Sequence, residues 1–153
     1  MDAVQIRLMV LEDIDSVCEM EIILFSAPWS RESFENELKK DYNLSYVAVD
    51  GEKVVGYIIC WLVVDEVHIG NIAVHPDYQR RKIGELLVNK VLSHSNHFVW
   101  AGLEVRKSNK QARAFYLKLG FREIGVRKNY YTNNSEDAIL MSKVLKPKNN
   151  HTK

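Results

Sequence analysis

The sequence predicts a mixed α/β (α+β) fold, a central and mostly antiparallel mixed sheet with helices on both faces. Three observations carry this reading. Segments of strand character and segments of helical period are interleaved, in the order β-α-α-β-β-β-α-β-α-β-β. Asp50-Gly51, between two strand-like segments, is a strong hairpin signal and sets an antiparallel start. The longest apolar run, VVGYIICWLVV over 54–64, has 11 residues. That suits a buried strand and is too short to span a bilayer.

Each element has its own reason. VQIRLMV is β-rich and opens the fold as a strand. Ile14, Val17, Cys18, Ile22 and Phe25 then fall at helical spacing, with Asp13 placed to cap the helix. APWS interrupts, and Ser30 is placed to cap a second helix that carries Phe34 and Leu38 on one face. LSYVAVD and KVVGYIICWLVVDE flank the DGEK turn. EVHIGNIAV reads as the next strand, stopped by Pro76. Ile83, Leu86, Leu87 and Val91 mark an amphipathic helix, and FVWAGLEV is a strand. SNKQARAFYLKLG is a helix, with Ser108 and Gln111 spaced as a capping box and Gly120 as its C-terminal stop. FREIGVRKNYY and DAILMSKVL close the chain as strands. Residues 1–145 are thus read as one domain. The polar, proline-containing KPKNNHTK, residues 146–153, reads as a disordered tail.

Composition narrows the function classes. The 153 residues suffice for one real core, and the mix is that of a soluble globular chain, 46% hydrophobic and 27% charged. A formal net charge of +1 gives no general argument for nucleic acid or membrane as a partner. Cys18 and Cys60 lie far apart in apolar segments and read as two buried free thiols. They suit a reducing compartment, hence the cytoplasm. MDAVQIRLMV has an early acid and no long apolar core, so it does not read as a signal peptide. His94 and His97 are three apart, but no cysteine or carboxylate cluster joins them. They read as a solvated helix end, and no metal is expected. His75, ahead of Pro76, reads as a turn residue. His68 is a lone residue near the same segment.

The stretch QRRKIGELL, Gln79 to Leu87, raises the sharpest question. A helix N-terminus presents unpaired N–H groups and a partial positive charge, which makes a ready anion site. Arg80, Arg81 and Lys82 place three cations there. On this stretch alone two readings stay open: a phosphate cradle and a solvated basic turn.

The wider pattern is more specific. PWS near residue 29, NIAVHPDYQRRKIGELLV, LEVRKSNKQARAFYLKLGF and the R-NYY…EDAI-M segment occur in this order between residues 28 and 141. Together they resemble the GNAT acetyltransferase superfamily and, more narrowly, the RimI family of ribosomal-protein-alanine N-acetyltransferases. The resemblance implies the GNAT fold, with acetyl-coenzyme A as co-substrate. It implies that Ile72, Ala73 and Val74 lend backbone groups to the pantetheine arm. The family's loop pattern, Q/R-x-x-G-x-G/A, maps onto Gln79 through Gly84, so Arg80, Arg81, Lys82, Ile83, Gly84 and Glu85 would cradle the pyrophosphate. One departure stands out: Lys82 occupies the place of the family's first glycine. In a helical conformation lysine fits there at no backbone cost. In a left-handed one it costs about 1–2 kcal/mol. Its long stem can turn aside and still bring the ammonium near a phosphate.

The implied chemistry is attack of a primary amine on a thioester. A peptide α-amine, with a pKa of about 7.7–8.0, is partly neutral near pH 7.5, whereas a lysine amine at about 10.4 needs far more help. A carboxylate acting through water suffices for the α-amine. A tyrosine, protonated below about 10, can donate to the leaving thiolate. In the resemblance Glu104 of LEVR is the general base, Tyr116 the general acid and Asn109 a coenzyme contact. By themselves Glu104 would read as a solvent-facing strand residue and Tyr116 as a core aromatic. Asn71, Pro28, Trp29 and the NYY segment 129–131 are candidates to shape the acceptor pocket. The expected acceptor is a protein N-terminus, the N-terminal alanine of a small-subunit ribosomal protein, with neither nucleic acid nor membrane contacted directly. Two alternatives stay open. One is an acetyltransferase of this fold acting on other N-termini, lysine or a small amine. The other is a non-catalytic binding module whose coenzyme loop is closed by Lys82.

Overall fold

The computed structural model describes residues 4–145; the tail expected at 146–153 lies outside the described residues. Seven strands and four α-helices follow in the expected order. They are β1 (Gln5–Leu8), α1 (Ile14–Leu24), α2 (Arg31–Leu38), β2 (Asn43–Asp50), β3 (Lys53–Val63), β4 (Glu66–Val74), α3 (Ile83–Leu92), β5 (Trp100–Arg106), α4 (Lys110–Lys118), β6 (Arg122–Arg127) and β7 (Ala138–Val144). The strands form one mixed sheet in the order β1-β2-β3-β4-β5-β7-β6. By contacts the chain divides into two compact units. One runs to Leu62 and adds Gly70–His94; the other joins Val63–Ile69 to the chain from Ser95 onward.

In the first unit β1 and β3 flank β2, both antiparallel to it. The expected hairpin forms, with Asp50 opposite Lys53 and Gly51 at φ +64. That is the conformation for which glycine carries no penalty. Side chains alternate across a strand, so odd and even residues of β2 face opposite ways. Val47 and Val49 join Tyr57 and Ile59 of β3 in a core with Ile14, Val17 and Met20 of α1 and Phe34 of α2. The even residues meet α3. A Cβ on Gly56 would lie 3.4 Å from both Ile83 and Leu87, and Tyr46 Oη lies 3.2 Å from His94 Nδ1. This unit therefore carries helices on both faces of its strands. A bulge between Ala48 and Val49 leaves Val55 as an extra residue in β3, and its carbonyl accepts the His75 N–H at 2.8 Å.

Four local expectations need correction. The buried stripe of α1 is Ile14, Val17, Met20 and Glu21, while Ile22 is 67% exposed. Asp13 does not cap α1: its carboxylate accepts from the Val10 N–H and pairs with Arg7 on both oxygens at 2.9 Å. Burial opposes its charge, but Arg7 and the Val10 N–H hold its carboxyl below the ordinary carboxylate value. Ser30, by contrast, caps α2 as expected, accepting from the Ser33 N–H. Of the two free thiols, Cys60 is buried and its pKa is pushed up by that burial, whereas Cys18 is only half-buried. His94 is a hydrogen-bond partner of Tyr46 and not a freely solvated residue.

In the second unit Glu66–Ile69 runs parallel to Trp100–Leu103, and β7 lies antiparallel between β5 and β6. Leu103 and Val105 share a buried face with Met141 and Ile139. The α4 helix covers this face, because Lys143, in register with Ala101, donates from Nζ to the Leu119 carbonyl at 2.8 Å. The other face of β5 carries Trp100, Gly102, Glu104 and Arg106. The Trp100 ring lies over Gly102 so closely that a Cβ there would be 2.0 Å from it. Asn109 caps α4, accepting from the Ala112 N–H at 3.1 Å, in place of the expected Ser108–Gln111 box. The cap shifts because Ser108 is held elsewhere, its N–H donating to Glu136. Gly120, at φ +98, ends the helix as expected. The strand expected over 121–131 stops at Arg127, and Asn129 turns the chain at φ +53. No helix among the described residues is long and apolar enough to cross a membrane.

Candidate active site

The first unit holds the loop expected to bind an anion. His75 caps the short turn Pro76–Tyr78, its Nδ1 accepting the Asp77 N–H at 3.1 Å. Tyr78 is fixed by its hydroxyl on Asp50, 2.6 Å away, and the Arg81 guanidinium sits 4.7 Å from its ring centre. The chain then turns into α3 through two left-handed residues, Arg80 (φ 67) and Lys82 (φ 63). Lys82 is the N-cap of α3 and contributes no side-chain cap. The N–H groups of Ile83, Gly84 and Glu85 open the helix and have no intrahelical partner. With Arg80 and Lys82 beside them in the chain, they are the candidates for an anion cradle whose donors are backbone groups. The lysine has therefore kept the left-handed backbone and carries its cost.

The strand that precedes this loop is partly committed. The Ile72 N–H is taken by Asn71 Oδ1 at 3.0 Å, and the Val74 carbonyl by Gln79 Nε2 at 3.1 Å. Ala73 is buried and shares the core of the first unit. Any backbone contact from Ile72–Val74 to a ligand must come from the remaining N–H and carbonyl groups.

The second unit holds the expected acid and base. Glu104 lies on β5 opposite Leu140, its side chain 31% exposed, with Arg127 Nε 3.7 Å from its carboxylate. At that distance and exposure the ion pair is weak and leaves the carboxylate available to water. Tyr116 is 4% exposed on α4 and packs edge-on against Phe115 and Phe121. Because α4 covers the Leu103–Val105 face, Glu104 and Tyr116 belong to opposite faces of β5. Asn109 begins the same helix, and its Oδ1 is used by the cap.

A clamp missing from the sequence reading steadies the β6–β7 connection. Arg106 donates to Asn133, Asn134 and Glu136 and stacks 4.0 Å from the Tyr131 ring centre. Burial pushes the Tyr131 hydroxyl up to about 12, against the pull of Arg106. Hydrogen bonds from Ser108, then from Arg106 and Asn134, hold Glu136 at about 2, below its ordinary 4.5. The motif LEVR displays Arg106, but nothing in its spacing reveals the distant partners.

A second residue escaped the sequence reading altogether. Glu21 is 1% exposed. Its carboxylate accepts from the Tyr57 hydroxyl, from Asn71 Nδ2 at 2.8 Å and from the Trp29 N–H at 3.0 Å. Trp29 also packs on Phe34, ring centres 5.2 Å apart, and Phe34 meets Tyr57 edge-on. The signal was present: Glu21 is seven residues after Ile14, on the stripe of Val17. Hydrophobicity alone favoured its neighbour Ile22.

Two outcomes follow. Lys82→Gly removes the left-handed penalty while adding glycine's chain entropy, so it should stabilise the protein by about 0.5–1 kcal/mol in urea unfolding. Glu136 has its folded pKa depressed, so its contribution is complete above about pH 4.5 and is lost as pH falls through about 2. Glu136→Gln should therefore narrow the stability gap between pH 6 and pH 2.5, as read by thermal melts.

A model of the acetyltransferase (GNAT) family matches residues 14–121. A Bacillus subtilis protein is 40% identical over 139 residues, covering 89% of this chain and 92% of its own. The [ribosomal protein bS18]-alanine N-acetyltransferase of Escherichia coli K12 is 36% identical over 136 residues, 85% of this chain and 90% of that protein. The crystal structure of the E. coli ribosomal-protein-S18-alanine N-acetyltransferase superposes with a TM-score of 0.88 at 30% identity, covering 99% of both chains. With the family match spanning residues 14–121 and relatives at 36–40% identity covering most of the chain, this protein belongs to the acetyltransferase (GNAT) family.

Proposed function

We propose that the protein transfers the acetyl group of acetyl-coenzyme A to the α-amine of a protein N-terminus, the N-terminal alanine of ribosomal protein bS18 being the acceptor. The observation that carries this reading is the left-handed entry into α3. It leaves the cradle's backbone donors in place although Lys82 replaces the family glycine. A closed, non-catalytic loop would have no reason to keep so strained a backbone. The acceptor is that of the E. coli relative, a [ribosomal protein bS18]-alanine N-acetyltransferase. An α-amine also needs less help from a carboxylate acting through water than a lysine amine does, because more of it is neutral near about pH 7.5.

Ile72–Val74, Arg80–Glu85 and Asn109 hold the coenzyme in this reading. Acetyl-coenzyme A supplies a thioester, whose C–S bond breaks as the N–C bond forms. Glu104 accepts the amine proton through a water. Tyr116 gives its hydroxyl proton to the leaving thiolate. Pro28, Trp29 and Asn71 in the first unit, and Asn129–Tyr131 in the second, are the candidates to shape the acceptor pocket. Residues 1–145 act as one catalytic domain, and the protein works in the cytoplasm, where its two free thiols stay reduced.

Mass spectrometry of an alanine-started peptide and its N-blocked, lysine-containing twin tests the reading. Acetylation of the free N-terminus alone is expected; modification of the blocked peptide alone would sink it. Glu104→Gln should lower kcat/KM about 100-fold, with the deficit shrinking as pH rises and the amine deprotonates unaided. Tyr116→Phe should lower kcat by about 10-fold or more while calorimetric affinity for acetyl-coenzyme A changes little.

A further inference from the structure

Glu21 has no place in the mechanism above, yet it is the most deeply buried carboxylate among the described residues. Its three hydrogen-bond partners are neutral donors, and among the described residues it makes no ion pair. Burial raises its pKa, while Tyr57, Trp29 and Asn71 pull the other way. For packing alone, an apolar side chain of similar volume would serve the site as well or better, because a buried carboxylate must first be stripped of water. What the carboxylate does, and an apolar group cannot, is fix three groups at once.

Those three groups come from three elements. The Trp29 N–H belongs to the α1–α2 connection, the Tyr57 hydroxyl to β3 and the Asn71 amide to β4. Asn71 is also held from its other end, because its Oδ1 accepts the Ile72 N–H. A chain of hydrogen bonds thus runs from the Pro28–Trp29 segment through Glu21 and Asn71 to the first residue of the Ile72–Val74 stretch. We propose that Glu21 is a positioning residue for acetyl transfer, holding the acceptor-side Pro28–Trp29 segment in fixed relation to Asn71 and the coenzyme strand. The proposal rests on the acetyltransferase reading and on those two segments serving acceptor and coenzyme.

Glutamine cannot replace this carboxylate. One oxygen of Glu21 faces the Tyr57 hydroxyl and Asn71 Nδ2, and the other faces the Trp29 N–H. A glutamine amide turned either way sets its NH2 against an N–H or NH2 donor. The hydrogen-bond chain opens while volume and shape stay nearly constant.

The experiment is steady-state kinetics of the full chain, Glu21→Gln and Tyr57→Phe, beside calorimetric binding of acetyl-coenzyme A. Tyr57→Phe keeps the ring against Phe34 and removes one hydroxyl, so it covers the case in which Glu21→Gln fails to fold. Glu21→Gln should raise the acceptor KM or lower kcat by about 10- to 100-fold, since small misplacements of bound groups carry losses of this size. Tyr57→Phe should give a smaller loss in the same parameters. In both, acetyl-coenzyme A affinity should stay within about threefold, because the α3 cradle is untouched. Amide exchange of a peptide spanning residues 25–30 should speed up in Glu21→Gln while that of α3 does not. Unaltered acceptor kinetics in a folded variant overturn the proposal, as does a loss shared equally by both substrates in step with lowered melting temperature. If the parent chain acetylates only the N-blocked, lysine-containing peptide, the N-terminal reading fails, and the variants are then judged on that peptide. If the parent acetylates neither peptide, both readings fall.

Discussion

A carboxylate taken out of water must find donors, and the way Glu21 finds them organises the first unit. Three donors from three chain segments converge on it. Each would be costly to leave unpaired at that depth. The α1–α2 connection cannot drift without uncovering a buried acid, and β3 cannot slip without withdrawing Tyr57. The aromatic contacts of Trp29, Phe34 and Tyr57 fill the space around the same point. Non-directional burial makes the core compact, and the directional bonds select one arrangement within it.

The anion cradle depends on backbone conformation more than on side-chain identity. Two non-glycine residues, Arg80 and Lys82, sit in the left-handed region within three positions. That strain persists only where the surroundings hold it. Tyr78, tied to Asp50 and stacked by Arg81, fixes the chain before the turn, and Ile83 and Leu87 fix the helix after it by packing near Gly56. Held at both ends, the turn keeps its shape without the family glycine.

The second unit uses charge differently. Arg106 is half sheltered and shared among two asparagines, Glu136 and the Tyr131 ring. A planar guanidinium can satisfy several acceptors and an aromatic face together, which a lysine could not do. The clamp ties the β6–β7 connection to the strand that carries Glu104, two residues away. Glu104 itself is left lightly paired, with Arg127 3.7 Å from its carboxylate.

The sequence by itself determined the order of elements, the Asp50-Gly51 hairpin, the stop at Gly120 and the family. These are encoded locally, in turn chemistry, periodicity and contiguous motifs such as NIAV and LEVR. It also named Glu104, Tyr116 and the loop from Arg80 to Glu85 as the residues to watch. Only the tertiary structure decided the backbone state of Lys82, because that state is imposed by what packs on either side of the turn. Only it showed that Asn109, and not Ser108, caps α4, since Ser108 is claimed by Glu136 from a distant loop. The importance of Glu21 was hidden for the same reason. A periodicity argument ranks residues by hydrophobicity and prefers Ile22 to an acid. The donors that make burial of that acid tolerable lie 8, 36 and 50 residues away. Long-range hydrogen bonding, unlike apolar spacing, leaves no local trace in a single sequence.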